Sequence, residues 1–369
     1  MSDFRSRRIA KWDNVKALLI FLVVMGHVFD YYTKEEPAAR SVFVFIYMFH
    51  MPLFLFVSGL FNKNTVKKRR WGHIVSYLLL YILIKFIVLV TELVLFQDQA
   101  FSFMSTHWVP WYAYVMFVYL CLMVLLEKLQ IPSGYVMFFS ILVACMAGYD
   151  KRIGVFLSIS KTLVFFPFFY AGYCLNPEKL AKKTENPVLK VLSGVMLILF
   201  GLLCARQGEF LYQFRSILTS RYPYKALGDW SIYGGLIRLI YYAAAFGTGL
   251  FVISIVPYRP LGSFSKLGQN TLQVYSLHSV PLFFLMGYLR LGDILASIMP
   301  VLYMFVFPLI ALFIVLLTCW DFWGSLIRLF IYPAEYWKTK QKTCGYANNA
   351  ERKQGGNKQH YEPEKEMRI

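Results

Sequence analysis

The chain has 369 residues, 58% of them hydrophobic and 16% charged, with a formal net charge of +18. A soluble domain carries about 45–50% apolar and about 25% charged residues, so a water-soluble globule is excluded and a multi-span integral membrane protein is expected. The basic excess gathers at segment ends and in alternating loops, as an orienting signal does, and with no nucleic-acid-binding signature beside it nucleic acid is excluded as a partner.

Basic RSRRIAK precedes the first apolar run without a small-residue cleavage site, and that run carries His27 and continues into Phe29 and Tyr31. A retained span rather than a removed signal peptide is expected. The apolar runs predict an all-α, polytopic transmembrane bundle of about ten helices, at roughly 15–33, 42–61, 73–96, 109–127, 134–149, 155–175, 187–204, 233–256, 271–289 and 299–319. Interior prolines (Pro52, Pro167, Pro281, Pro308) are tolerated in a bundle, where neighbours or water satisfy the freed carbonyls. Five of the six cysteines lie in or beside apolar runs without metal-ligand spacing, so packing is their reading and no metal site is predicted. The domain organisation is a short segment 1–14, a membrane domain 15–320, and a basic tail 321–369 expected to be disordered.

Ten spans put both termini on one side, where loops and termini hold 26 Lys and Arg against 9 opposite. The positive-inside rule then puts N- and C-termini in the cytoplasm, and the protein in the plasma or inner membrane. The longest external loop, about 205–232, is polar and aromatic; its Tyr and Trp suit sugar stacking and interfacial anchoring equally.

His27 and His50 sit deep in apolar runs, where an ionisable side chain is costly and faces a protein interior or a wet cavity. At about 1.5 Å per residue both fall some 8–12 Å beneath the outer interface, and a short loop makes the first two helices antiparallel neighbours. A shared, outward-opening pocket is expected, with a structural hydrogen bond between helices as the plainer alternative. Lys16 precedes His27 by eleven residues, about three turns, and shares its face at the cytoplasmic end. It reads either as a donor-binding cation or as a snorkelling lysine. Asp30, three residues after His27, either orients that imidazole or is a solvated helix-end residue. His278 is placed near the inner end of the ninth helix, far from the level of His27, meeting a cytoplasmic donor or serving as an interfacial structural residue. Lys161 and Arg238 near outer helix ends read as snorkelling residues. Ser58-Gly59 reads as close helix packing.

Several blocks look familiar: WDNVKALLIFLVVMGH (12–27), FIYMFHMPLFLFVSGLF (45–61), HWVPWYAYVMFVYL (107–120), SKTLVFFPFFYAGYCL (160–175) and LGQNTLQVYSLHSVPL (267–282). In family order and over roughly 10–320, they resemble the acyltransferase-3 family of integral membrane acyltransferases, in its fucose 4-O-acetylase-like branch. The family's first-helix pattern, a basic residue, ten others and a histidine, falls on Lys16 and His27, with Lys where many members have Arg. Lysine keeps the charge but not the bidentate fork. The resemblance implies transfer of an acyl group, usually acetyl from cytoplasmic acetyl-CoA, to a hydroxyl of a cell-surface carbohydrate or lipid-linked sugar.

Sugar hydroxyls are weak nucleophiles at neutral pH, so such a transfer needs a positioned base and oxyanion stabilisation. His27 is assigned as that base and His50 as the residue that orients or shares the proton or stabilises the tetrahedral oxygen, a transient acyl-histidine being an alternative role for either. Acyl-CoA as co-substrate, a carbohydrate or glycolipid acceptor and membrane lipids are the expected partners, with self-association or a polymer-synthesis partner compatible. The rival expectation is an exporter of a polysaccharide or glycolipid, although no inverted repeat or matched pair of broken helices is read in the sequence.

Overall fold

The computed structural model describes residues 9–97, 109–150, 158–300 and 302–332. The described residues form helices and no strand. The principal elements are α1 (Ala10–Asp30), α2 (Pro37–Phe61), α3 (Trp71–Phe96), α4 (Trp111–Leu129), α5 (Ser133–Ala147), α6 (Ile159–Cys174), α7 (Pro187–Tyr212), α8 (Gly234–Ile255), α9 (Thr271–Tyr288), α10 (Tyr303–Thr318) and α11 (Asp321–Ile331). Long runs of Leu, Val, Ile and Phe become helices because a chain in lipid must satisfy its own backbone groups. Proline at the first turn starts α2 and α7, and the Asn186 side chain accepts the Val188 and Leu189 N–H groups at the head of α7.

Each of the ten expected apolar segments falls on a helix. Among the described residues six helices are long and apolar enough to cross a membrane, or eight when each of two bent pairs is taken as one span. The expected ten is reached only by including α5 and α6, which at 15 and 16 residues are shorter than the roughly 20 that a hydrocarbon core requires.

Helix α2 lies at the centre, packed against α1, α6, α7 and α8. Gly59 and Gly172 let α2 and α6 touch through their backbones: a Cβ on Gly59 would overlap the Phe169 carbonyl, and one on Gly172 the Phe56 carbonyl. Close packing at Ser58-Gly59 was the expected reading, and small residues are what permit it.

A short helix, Ser263–Gln269, precedes α9. Gly268 lies flush on the backbone of Asp13, and at the other end Gly292 abuts the Tyr32 ring, so α1 and the α9 region run parallel. The start of α1, the start of α9 and the α10–α11 corner therefore gather at one end of the bundle. There the Gln273 side-chain amide donates to the Cys319 carbonyl at 3.1 Å, and the Asn270 amide donates to Asp321 at 3.0 Å.

Two expectations change. The polar stretch 205–232 is largely helical: α7 continues to Tyr212 across a kink at Gln207, followed by Arg215–Thr219 and a 3-10 segment Tyr224–Tyr233. The tail expected to be disordered from 321 begins as α11, bent 60° from α10, with Gly324, Ile327 and Ile331 buried; residues from 333 onward lie outside the described ones.

Candidate functional site

A small cavity opens between α1, α2, the start of α4, and α9. Its walls include Ile20, Val23 and His27 from α1, Met51 and Phe54 from α2, Trp111 and Tyr112 from α4, and Tyr275 and His278 from α9. It offers about 20 Å³ of space for water centres, room for about one water molecule.

The cavity is built around two stacked imidazoles. His27 and His278 lie with ring centroids 5.6 Å apart and planes 19° from parallel. The Nδ1 of His278 lies 2.9 Å from the Val274 carbonyl and 3.0 Å from that of Tyr275. A carbonyl can only accept, so Nδ1 carries the hydrogen and the lone pair is on Nε2. That Nε2 is buried and has no hydrogen-bond partner among the described residues, and the same holds for Nδ1 of His27. Buried polar atoms are nearly always satisfied, so two unsatisfied imidazole nitrogens at one cavity mark a place where something else binds.

This arrangement corrects the placement of His278 near the inner end of its helix, far from His27. The helical path begins at Ser263 rather than near 271, so His278 lies fifteen residues along it, and the Gly268–Asp13 contact sets the register that brings the two rings level. It also separates His278 from Lys16, its expected companion in donor binding. Lys16 is at the opposite end of α1, half-buried and paired with Asp13 at 2.9 Å.

The expected pairing of His27 with His50 is not what the structure brings together. His50 is buried, its Nδ1 donating to the Ile46 carbonyl at 2.8 Å and its ring set edge-on to Tyr47 at 4.7 Å. Met51, the next residue, faces the cavity, and one residue is a rotation of about 100° on a helix. Asp30 makes no hydrogen bond to His27 among the described residues.

The aromatic wall is fixed from behind. The Tyr275 hydroxyl donates to the Val109 carbonyl at 2.7 Å and accepts the Ala113 N–H at 3.2 Å. The Tyr112 and Ser58 hydroxyls share a hydrogen bond of 2.7 Å, and Ser58 donates to the Phe54 carbonyl. These contacts hold the first turn of α4 against α2 and α9, giving the cavity rigid walls on that side.

A family model described as an acyltransferase domain, Acyl_transf_3, matches residues 9–322. The chain belongs to this acyltransferase family. Among curated proteins it is similar to the nodulation protein NolL of Mesorhizobium japonicum, 25% identical over 144 residues, which is 34% of this chain and 39% of that protein. It is also similar to the nodulation protein NolL of Sinorhizobium fredii, 39% identical over 64 residues, 16% of this chain and 18% of that one. The matched part thus spans well under half the length of either relative. No solved structure matches.

In this acyltransferase-family chain two basic residues whose positions near helix ends predict snorkelling are buried instead. Arg238 is 1% exposed; its guanidinium donates to the Ile217 carbonyl at 2.7 Å and the Ser220 hydroxyl at 2.9 Å, tying the 215–220 segment to the bundle. Lys161 is 4% exposed, with its ammonium 4.6 Å from the centre of the Trp111 ring. A lysine near a helix end is ambiguous in sequence; only the neighbouring helices decide whether it turns outward.

Proposed function

We propose that the protein is an integral membrane O-acyltransferase that moves an acyl group, acetyl in the simplest case, from cytoplasmic acyl-CoA to a hydroxyl of a cell-surface carbohydrate or lipid-linked sugar. Both termini face the cytoplasm of the plasma or inner membrane in this reading, and the fucose 4-O-acetylase-like branch is its nearest setting. The observation that carries it is the stacked His27–His278 pair, with a nitrogen on each ring unpartnered among the described residues at one cavity, in a chain of an acyltransferase family.

The chemistry follows from the tautomer. With Nδ1–H of His278 held by backbone carbonyls, Nε2 presents a lone pair to the acceptor hydroxyl. It accepts the hydroxyl proton as the oxygen attacks the thioester carbonyl; the carbon–sulfur bond then breaks, and the proton passes to the departing thiolate. His27, stacked alongside, shares or relays that proton. Two imidazolium rings so close repel in a low dielectric, so the pair carries one added proton between them. The walls must part to admit an acyl group, and Met51, with three rotatable bonds, is the flexible member of the lining. Lys16 lies eleven residues from His27 on the same face of α1, about 16 Å along the axis. That offset suits a cation that meets a donor phosphate at the basic end while the acyl arm reaches the histidines.

The test is acyl transfer in proteoliposomes, followed as CoA-thiol release from acetyl-CoA, beside mass spectrometry of surface glycans from cells expressing each variant. His27→Ala is expected to lower transfer by about 100-fold or more while insertion and yield stay normal. Wild-type product levels from that variant would reject the assignment.

A further inference from the structure

Among the described residues Lys161 has no anion. It is the third residue of α6, a position from which a lysine ordinarily reaches the interface, yet its side chain turns into the bundle over the indole of Trp111. Phe165, one turn on, stacks on the same indole at 5.5 Å, and Trp111 is a wall of the histidine cavity. Among the described residues the ammonium has no carboxylate partner and no hydrogen-bond acceptor; its recorded contact is the ring. A buried charge is normally paired because desolvation is costly, and an aromatic face offsets only part of that.

A second cation points at the same place. Arg221 is half-buried in the stretch that follows Arg215–Thr219, the segment that Arg238 ties down. It too makes no ion pair or hydrogen bond among the described residues. Its charge acts on Lys161, His27, Tyr47 and Asp30, groups at the end of the bundle where α1 gives way to α2, beside the histidine cavity. Its neighbours are otherwise engaged: Arg40 bonds the Thr33 carbonyl and pairs with Glu209, and Arg215 lies over the Tyr212 ring. Lys161 thus reaches the cavity wall at Trp111, and the charge of Arg221 acts on the same ammonium, with Asp30 the carboxylate it also acts on.

We propose that Lys161 and Arg221 form an anion-binding site beside the histidine cavity, taking a phosphate or carboxylate group of the acceptor and holding its neighbouring hydroxyl against the imidazoles. The acceptor is then an acidic glycan or a phosphate-linked sugar rather than a neutral one. The guanidinium supplies a planar fork for two oxygens and the ammonium a point charge. The inference rests on the acyl-transfer reading for its acceptor and, for its site, on two cations without an anionic partner among the described residues.

The test uses the purified full-length protein in detergent, with N-acetylglucosamine 1-phosphate, glucuronate and N-acetylglucosamine as probes of thermal unfolding. One or both acidic sugars should raise the wild-type midpoint saturably, the neutral sugar should not, and the tighter acid distinguishes phosphate from carboxylate. Lys161→Met and Arg221→Gln should each weaken that binding by about 10-fold or more, whereas His27→Ala should retain it. Lys161→Met, which removes an unpaired buried charge at similar volume, should fold with an unliganded midpoint at or above wild type. The site is overturned if neither acid shifts the wild type, or if both cation variants bind as it does. Should His27→Ala abolish CoA-thiol release in that case, acyl transfer stands and the anion site falls. If the acidic sugars bind through both cations but His27→Ala leaves transfer unchanged, the anion site stands and acyl transfer by this pair falls.

Discussion

The two histidines of the cavity differ in how much of their role a sequence can carry. His27 is marked by an apolar run and by a basic residue eleven positions before it, both local features. His278 acquires its role from a contact between distant segments, the seating of Gly268 on Asp13, and no local pattern encodes that. The distinction makes a prediction. If His278 works beside His27, His278→Ala should lower the turnover number for acyl transfer by about 100-fold or more and leave the KM for acetyl-CoA near its wild-type value. A donor-binding histidine at the inner end would raise that KM instead. His50→Ala, on a side chain that lies off the cavity wall and bonds its own helix, should keep turnover within about tenfold. Steady-state kinetics on matched amounts of folded protein separate the cases. Lys161 and Arg238 illustrate the other way sequence falls short: a cation near a helix end reads as snorkelling until neighbouring helices close around it.

At the scale of elements, apolar composition located the helices well because the lipid phase imposes one solution on the backbone. Their ends were less visible. Ser263–Gln269 lies between Gly262 and Asn270 and contains Gly268, residues that read as a loop, although Gly268 is small in order to meet α1. Polar Arg206, Gln207 and Glu209 suggested that α7 had ended, yet it continues, and Glu209 pairs with Arg40 of α2. The α2–α6 seam gives the clearest energetic test. Gly59→Ala or Gly172→Ala places a methyl against an opposing backbone carbonyl, and overpacking of this kind costs roughly 1–3 kcal/mol. Gly194→Ala, in α7 with nothing within 4 Å of the added Cβ, should be neutral or stabilising by a few tenths up to about 1 kcal/mol. Unfolding midpoints in one detergent should order the variants Gly194→Ala, wild type, then the two seam variants; equal midpoints for all would show that α2 and α6 are not in close contact.

For the molecule as a whole, the basic end must hold α1 against the segment between α6 and α7, since α1 carries both Lys16 and His27. The tie is ionic. Lys11, fully buried on α1, bonds Glu185 at 2.6 Å, and Lys190 at the head of α7 bonds the other carboxylate oxygen, also at 2.6 Å. Burial alone would push the Glu185 carboxyl up, but the hydrogen bonds and charges of the two lysines outweigh it and hold the carboxyl below its ordinary value. A carboxyl depressed in the folded state binds fewer protons there than in the unfolded chain. Its stabilisation is therefore complete above the unfolded value of about 4.3 and is lost as pH falls through the folded one. Glu185→Gln should accordingly destabilise at neutral pH by about 1–3 kcal/mol, less than a fully buried pair because the carboxylate is partly exposed, and it should strand the ammonium of Lys11. Adding Lys11→Met should recover much of that loss, since the stranded charge is then gone. Thermal midpoints of wild type and Glu185→Gln, followed from pH 7 down to about pH 3, should run parallel above pH 5 and converge below it. Profiles that stay parallel through the acid range would mean that this carboxylate does not tie α1 to the rest of the bundle.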